Sequence, residues 1–437
     1  MKYLTRILFI TSVVLFSISS YSQRDLPASD EISCSIIIKN ITVIPVHLDQ
    51  VYENQDVVIT CGEISTIEPH IQDSSSNQIP EGYANTIDGT GKFLVAAYSD
   101  AHVHLPAEEE LEQFFILNLL NGVTSMRSMR GEDWHLNIDK NSRYTPRLYL
   151  SAPPIVDSSF EDLKLLETNL KLYKRQGWDF LKLLSIDTSA HYVTLQRMAL
   201  AAQMKVAGHC PDGVSLEQIS QIGNFMSVEH LGGISDLADL NAIVKAIKLS
   251  NKSNIYHCPT INWAHSFQFT NEELRKLEGT KYVSKSMIAA WEDELEEGSK
   301  ARSETEQVQF REMVKRHSSM MLTYLEFVYQ QGGKLLISPD ASAAYNVPGF
   351  SYHDEIQHYK GIKMSNREIL RVASYNMAEM FGESEEWGTV RVGAKSDLLI
   401  LNSNPLDDIK NAQDIDAVIL KGQYIHSGTL RSKLLHP

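Results

Sequence analysis

The chain has 437 residues, of which 43% are hydrophobic and 22% are charged, a composition typical of a soluble globular protein with a full core. Its formal net charge of -15 disfavours nucleic acids and anionic membranes as partners, because both repel an acidic protein. The length is consistent with two or three domains, although a single α/β barrel would include most of it.

The N-terminus has the pattern of a secretory signal peptide. An apolar run over residues 7–16 follows two basic residues, Lys2 and Arg6, and precedes small residues. This pattern predicts a signal peptide over residues 1–22, cleavage before Gln23, and an exported protein that is periplasmic or secreted. The alternative, an uncleaved membrane anchor, is disfavoured because the run is shorter than the ~20 residues that a membrane span needs. We therefore expect no stable membrane span once the signal is removed.

Four cysteines are present, and none of them forms a C-x-x-C pair. The sequence thus indicates neither a disulfide scaffold nor a structural zinc site. Export permits disulfides, and both a Cys34–Cys61 bridge and a buried pair of free thiols are compatible with the sequence. The four are Cys34, Cys61, Cys210 and Cys258.

Short β-type segments separated by turns occur at both ends of the mature chain. Such segments predict strands of a small sheet. Because the two ends share this style and flank a different middle, we expect one β-sandwich built from residues 23–92 and 386–437. The segments are 35–44, 55–60 and 62–67 near the N-terminus, and 388–401 and 417–425 near the C-terminus.

Between these ends, apolar runs alternate with amphipathic helical stretches. The alternation predicts a parallel α/β architecture, and eight such units fit a closed barrel over residues 93–385. Residues 266–330 exceed a normal βα connection and predict an inserted helical pair beside the site. Capping boxes at Thr270 and Ser365 mark helix starts. The eight runs are 93–98, 123–126, 147–151, 180–184, 205–208, 225–228, 254–258 and 334–337.

Side chains that can bind a metal are found at the ends of several of these strands. In a parallel barrel, the C-terminal strand ends form the face at which chemistry takes place. His102 and His104 are one residue apart, so their imidazoles point to the same side of a strand. One histidine at a strand end is more often a hydrogen-bonded core residue than a ligand, but the whole set favours a metal site. The set is His102 and His104 after strand one, Lys182 in strand four, His209 after strand five, His230 after strand six and Asp340 after strand eight.

These segments resemble the amidohydrolase superfamily over nearly all of the mature chain, and most closely its imidazolonepropionase and Xaa-Pro dipeptidase branch. The resemblance implies a distorted (β/α)8 TIM barrel with a small β-sandwich domain formed by both termini. It also implies hydrolysis of a carbon–nitrogen or carbon–oxygen bond by metal-activated water. The matching segments are Asp100-Ala-His-Val-His104, Gly208-His-Cys-Pro211, Ser227-Val-Glu-His-Leu231, Ser338-Pro-Asp340 and Gly393-Ala-Lys-Ser-Asp-Leu-Leu-Ile-Leu-Asn-Ser-Asn-Pro-Leu406.

The resemblance assigns a role to each residue of the set. One divalent metal, with zinc expected from the ligand types, would be held by His102, His104 and Asp340. A second would be held by His209 and His230, with Lys182 bridging once carbon dioxide has converted its amine into a carbamate. The alternative for Lys182 is an ion pair with Asp179. A one-metal site would instead use His102, His104, His209 and Asp340, with His230 orienting the substrate. In either arrangement Asp340 would be the proton shuttle.

The chain departs from the family pattern in three loops that shape the pocket, so the substrate is not determined. Ala96-Ala97 replaces the usual Pro-Gly, Ser128 follows the second strand's arginine where Asp is common, and residues 152–157 lack a Gly-Gly-His. Two hypotheses remain. One is an exported metal-dependent hydrolase of an amide, peptide or cyclic amide bond in a small molecule or short peptide. The other is a catalytically inactive amidohydrolase-like protein that binds a ligand. The intact ligand set favours the enzyme, and a homo-oligomer is compatible with both.

Overall fold

The structure, a computed structural model, describes residues 34–71, 85–235, 237, 239–299, 302–341 and 345–435. The predicted signal peptide over residues 1–22 and the cleavage site before Gln23 lie outside these residues.

The strands are numbered β1 to β16 in chain order within the described residues. They are β1 Ser35–Val43, β2 Tyr52–Thr60, β3 Glu63–Pro69, β4 Asn85–Asp88, β5 Phe93–Ala96, β6 Tyr98–Val103, β7 Val123–Ser128, β8 Arg147–Leu150, β9 Leu181–Leu183, β10 Val206–Gly208, β11 Phe225–Glu229, β12 Tyr256–Cys258, β13 Lys334–Leu335, β14 Leu398–Leu401, β15 Ile415–Leu420 and β16 Gln423–His426. The α-helices are Leu111–Leu120, Leu163–Gln176, Ser189–Ala201, Leu216–Ile222, Leu240–Lys252, Ile261–Ser266, Asn271–Leu274, Lys285–Ser299, Glu304–Gln330, Phe350–Gly361, Asn366–Phe381 and Ser427–Leu435.

Strands from both ends of the chain form one sheet, in the order β16-β15-β14-β5-β1-β2-β3, with β4 paired to β1. The two ends meet where β14 pairs with β5, so that Leu398 lies opposite Ala96. Buried residues such as Ile38 and Val57 of the N-terminal part share one hydrophobic core with Ile400 of the C-terminal part. The prediction of a β-rich unit built from both termini is therefore confirmed.

A disulfide joins Cys34, at the start of β1, to Cys61, in the turn after β2, with 5.0 Å between their Cα atoms. Of the two possibilities that the sequence allowed, the bridge is thus the one found. Cys210 and Cys258 lie outside this disulfide.

The middle of the chain forms a closed parallel barrel of eight strands, β6 to β13, which confirms the predicted fold class. Strands β6 to β8 pair in one sheet and β9 to β13 in another. Parallel bridges join the two sheets at Ser151 with Phe180 and at Ile155 with Leu183. The barrel closes where Val103 bridges Ala341 and the amide of His104 donates to the carbonyl of Ala341 at 2.7 Å.

The first barrel strand differs from the prediction. The run from Phe93 to Tyr98 was expected to be one strand, but it divides at Ala97, whose amide donates to the carbonyl of Asp397. Its first part, β5, belongs to the terminal sheet, and the barrel begins with Tyr98–Val103. The chain is buried in the terminal sheet and in the barrel alike, and Leu94 and Tyr98 are both fully buried. The apolar pattern of the sequence therefore does not indicate where the chain passes from one sheet to the other. The barrel strand extends as far as Val103 and therefore includes His102.

Helices cover the outside of the barrel, and the predicted inserted segment is helical. It contains Asn271–Leu274 and Lys285–Ser299, and it continues into Glu304–Gln330, which buries Leu325 and Val328 against the core. The capping boxes predicted at Thr270 and Ser365 are both present. No helix in the described part of the chain is long and apolar enough to cross a bilayer.

Candidate active site

All six predicted site residues line one cavity of about 530 Å3 at the C-terminal face of the barrel. Five of them lie within a barrel strand or directly after one, and Asp340 lies in the segment that follows β13, so all are at the C-terminal strand ends, as the barrel architecture predicts. The six are His102, His104, Lys182, His209, His230 and Asp340.

Asp340 lies next to the two histidines of the first barrel strand. Its Oδ1 is 3.1 Å from His104 Nε2 and 3.6 Å from His102 Nε2. Burial alone would raise the pKa of this carboxyl, but the imidazoles of His102 and His104 outweigh it and hold the pKa well below its ordinary value. Asp340 is therefore an anion at neutral pH.

His230 and His209 complete the ring of imidazoles. The ring centroid of His230 is 4.9 Å from that of His209 and 5.0 Å from that of His102. Burial lowers the pKa of His209 to about 4 and that of His230 to about 3, so both are neutral at pH 7. A neutral imidazole keeps one nitrogen lone pair for a cation.

The hydrogen bond behind His230 identifies which nitrogen that is. The hydroxyl of Thr260 donates to the carbonyl of Pro259 at 2.8 Å, so its oxygen must accept from His230 Nδ1, 2.5 Å away. His230 Nε2 then carries the lone pair. His102 Nδ1 likewise carries a proton and donates it to Glu229 Oε2 at 2.8 Å, because a carboxylate can only accept. Burial also lowers the pKa of His102. In the neutral form of each ring, Nε2 is therefore bare.

Lys182 has no hydrogen-bond partner for its Nζ among the described residues, although the side chain is only 1% exposed. Burial lowers its pKa from 10.5 to about 8. The alternative ion pair with Asp179 is not formed, because Lys182 Nζ has no partner among the described residues, and the carboxylate of Asp179 accepts from the amide of Leu150 at 2.7 Å. The amine is thus buried inside the barrel, at the wall of the active-site cavity.

Sequence reasoning missed a buried polar cluster behind His102. Glu229 accepts from His102 Nδ1 and from Arg127 Nη2, each at 2.8 Å, and Ser227 Oγ bonds both Glu229 and Arg127. Burial would raise the pKa of the Glu229 carboxyl, but Arg127 and His102 hold it well below its ordinary value. A detectable signal was present in the sequence, since an arginine and a glutamate each directly follow a run that was predicted to be a barrel strand, 123–126 and 225–228.

Three residues of the site have a left-handed backbone that side chains other than glycine rarely adopt. The φ angles are 58° at His230, 51° at Thr260 and 65° at Asp340. Such conformations cost roughly 1–3 kcal/mol each and persist at functional sites, where surrounding contacts hold them in place.

The rest of the cavity lining is largely apolar. It comes from the segments that follow the second, third, fourth and seventh barrel strands, and it includes the guanidinium of Arg130. The apolar members are Met129, Pro154, Val156, Leu184 and Trp263.

Comparison with known proteins gives a family for this arrangement. Residues 186–425, more than half of the chain, match the model of the amidohydrolase family. The chain belongs to the amidohydrolase family. It is accordingly a metal-dependent hydrolase that acts on carbon–nitrogen bonds, amide and peptide bonds in general. No curated protein matches the chain.

Solved structures share the fold at low sequence identity. A Xaa-Pro dipeptidase with methionine in its active site superposes with a TM-score of 0.66 at 17% identity, covering 90% of this chain and 100% of the other. A putative prolidase from Bifidobacterium longum superposes with a TM-score of 0.68 at 17% identity, covering 92% of this chain and 98% of the other. A bottromycin amidohydrolase superposes with a TM-score of 0.70 at 17% identity, covering 94% of this chain and 89% of the other.

The residues of this amidohydrolase fit the divalent metal that the family implies. The ligand-type atoms of His102, His230 and Asp340 all lie within 4.8 Å of one another. In neutral rings the two Nε2 atoms are acceptors like the carboxylate, and Asp340 Oδ1 is buried with no hydrogen-bond donor among the described residues. Buried acceptors normally have a donor, so a buried carboxylate oxygen without one, beside the ligand-type atoms of two histidines, is an arrangement that a cation satisfies.

Proposed function

We propose that the chain is an exported amidohydrolase that hydrolyses an amide, peptide or cyclic amide bond, with Asp340 as the group that moves the proton. The observation that carries this proposal is the convergence of ligand-type atoms of His102, His230 and Asp340 in one cavity at the mouth of the barrel. Family membership supports the reaction class, and the buried metal-ligand residues support the location of the chemistry.

The ligands would be divided as the sequence suggested. His102, His104 and Asp340 would hold one cation, for which zinc suits the imidazole and carboxylate ligands. His209 and His230 would hold a second, with Lys182 as the bridge. A divalent cation supplies two things at such a site: it lowers the pKa of water towards ~7 and it polarises a carbonyl oxygen.

Lys182 can act as the bridge only after a covalent change. Its neutral amine would attack the carbon of carbon dioxide, form an N–C bond, and lose one proton to become a carbamate anion. The lowered pKa and the lack of a hydrogen-bond partner support this, because both keep the nitrogen lone pair available. The one-metal alternative, with His102, His104, His209 and Asp340 as ligands, would leave the amine bare.

Asp340 would accept a proton from the attacking water and return it to the leaving nitrogen. Its carboxylate is anionic at neutral pH and lies within 3.6 Å of His102 and His104. It can therefore act as a base beside the residues that would bind the metal. The hydroxyl of Ser338 accepts from the amide of Asp340 at 3.1 Å and donates to the carbonyl of His102 at 2.7 Å. These bonds fix the carboxylate relative to the first barrel strand.

The remaining lining favours a substrate with an apolar part and a negative charge. Met129, Val156 and Trp263 provide the apolar wall, and Arg130 provides a guanidinium for a carboxylate. N-acyl amino acids and short peptides have both features. Because a neighbour in fold is a Xaa-Pro dipeptidase, Xaa-Pro dipeptides belong in the same test.

The test is turnover of protein that has been stripped with a chelator and reloaded with zinc. The substrates are N-acyl amino acids, Xaa-Pro dipeptides, lactams and lactones, assayed beside the stripped protein. We expect hydrolysis of at least one nitrogen-containing substrate only after reloading. Fully loaded protein that hydrolyses only the lactones would overturn the assignment of the carbon–nitrogen bond.

Export is tested separately by intact-mass measurement on protein from the exported fraction. The proposal expects a chain that begins near Gln23. A chain in that fraction that retains residues 1–22 would contradict the signal peptide.

A further inference from the structure

A buried polar cluster joins three strands of the barrel behind the metal-binding face. Glu229 on β11 receives hydrogen bonds from His102 on β6 and from Arg127 on β7, each at 2.8 Å. Arg127 also donates through Nη1 to Ser227 Oγ and through Nε to the carbonyl of Ala101, both at 2.5 Å. Each of these side chains is fully buried. The ion pair between Arg127 and Glu229 is called the Arg127–Glu229 pair below.

Both oxygens of Glu229 are occupied within this cluster. Oε2 accepts from His102, and Oε1 accepts from Arg127 and from the hydroxyl of Ser227. Glu229 is also absent from the residues that line the active-site cavity. Ligand-type atoms of His102, Glu229 and Cys258 do lie within 4.8 Å of one another. A cation among them would face the guanidinium that already binds the same carboxylate, so Glu229 is not a metal ligand.

We propose that Glu229 is a positioning residue for the metal centre: it holds His102 with its proton on Nδ1 and its bare Nε2 directed to Asp340. This inference rests on the proposed function, because it assumes that His102 is a metal ligand. Residues that accept the second N–H of a ligating histidine fix the tautomer and the ring orientation, and their loss typically weakens metal binding 10–100-fold.

Arg127 has a separate task in the same arrangement. A carboxylate buried beside a neutral imidazole is costly unless a cation pairs with it. The guanidinium supplies that charge and, through the carbonyl of Ala101, attaches the carboxylate to the strand that carries His102. The Arg127–Glu229 pair therefore couples the position of β11 to the direction of one ligand on β6.

The experiment measures metal affinity and not turnover. Zinc binding is followed by competition calorimetry, and the geometry of the site by the visible spectrum of cobalt-substituted protein. In Glu229→Gln, which keeps the shape of the side chain but not its charge, we expect zinc affinity to fall 10–100-fold and the cobalt spectrum to change. The melting temperature of the metal-free protein is recorded on the same samples.

Glu229→Gln leaves Arg127 buried without its partner, so a second variant guards against misfolding. Arg127→Met with Glu229→Gln removes both charges, so neither charge is left buried without its partner. We expect the same loss of affinity in this folded double variant. The matched control is Arg147→Met with Asp397→Asn, another ion pair, at 3.0 Å, whose members do not line the active-site cavity. It should bind zinc as tightly as wild type.

The outcomes separate the two proposals. Wild-type protein that binds no divalent cation would overturn the metal site itself. Wild-type protein that binds zinc, together with a folded double variant that binds it equally tightly, would overturn the role of Glu229 and leave the proposed function intact. Equal losses in the double variant and in the Arg147/Asp397 control would show a general effect of stability, and this too contradicts a positioning role.

Discussion

Replacing Lys182 by methionine should stabilise the metal-free protein at neutral pH. The lysine is only 1% exposed and its Nζ has no hydrogen-bond partner among the described residues, and burial lowers its pKa from 10.5 to about 8. The difference between these two values corresponds to about 3 kcal/mol of unfolding free energy that the wild type loses when it carries a charged amine into the barrel. Methionine has a similar length and no charge, so it avoids this cost.

The effect must depend on pH in one direction. Below pH 8 the amine is protonated in both the folded and the unfolded chain, and the whole penalty of about 3 kcal/mol applies. Between pH 8 and 10.5 the folded protein loses the proton first, so the penalty declines, and above 10.5 it is absent. The stability advantage of the methionine variant should therefore shrink as the pH rises through this interval.

The assay is urea denaturation of chelator-treated protein in buffer free of carbon dioxide, at pH 7 and at pH 10. The control is Lys171→Met, because Lys171 is exposed and forms a surface pair with Glu167, which typically contributes no more than ~0.5 kcal/mol. If the Lys182→Met variant were equally or less stable than wild type at pH 7, the buried amine would not be a strained group. The argument for its reactivity toward carbon dioxide would then lose its basis.

Three further predictions concern single sites. In Asp340→Asn, kcat should fall ~10²–10⁴-fold while metal content and melting temperature are retained, and near-normal turnover in fully loaded protein would require another base. Elemental analysis should find less metal in a His102→Ala, His104→Ala double variant than in wild type, and equal content would remove these histidines from the site. Burial raises the pKa of Glu355 from 4.5 to about 8, so its contribution to stability is present below pH 4.5 and is lost as the pH rises to 8. Glu355→Gln should flatten this decline in urea denaturation at pH 5 and pH 8, and an unchanged pH trend would show that Glu355 does not titrate in this range.

The barrel and its six inward residues could be predicted because each depends on local sequence. An apolar run that ends in a histidine or an aspartate is visible without knowledge of the neighbouring strand. The carboxyl ends of parallel strands then bring such residues to one face, as they do for His104 and Asp340.

What the sequence did not reveal depends on pairing between distant strands. Glu229 was visible beside His230, but its partners His102 and Arg127 are 127 and 102 residues away, and only the order of strands around the barrel brings them together. Asp179 shows the converse. It is a near neighbour of Lys182 in sequence, yet its carboxylate binds the backbone of the adjacent strand. Export, the domain limits and the metal count stay predictions.

The pairing of β5 with β14 has a consequence for how the protein is made. Leu94 and Val95 leave the ribosome early, but the residues opposite them, Ile400 and Leu399, follow about 300 residues later. At ~5–20 residues per second, that interval is about 15–60 s. During this time one edge of β5 has no partner, and an unpaired apolar edge is a template for strands of other chains. A nascent or prematurely terminated chain that ends before Leu398 should therefore be more prone to aggregate than one that extends through β14, even if its barrel is complete.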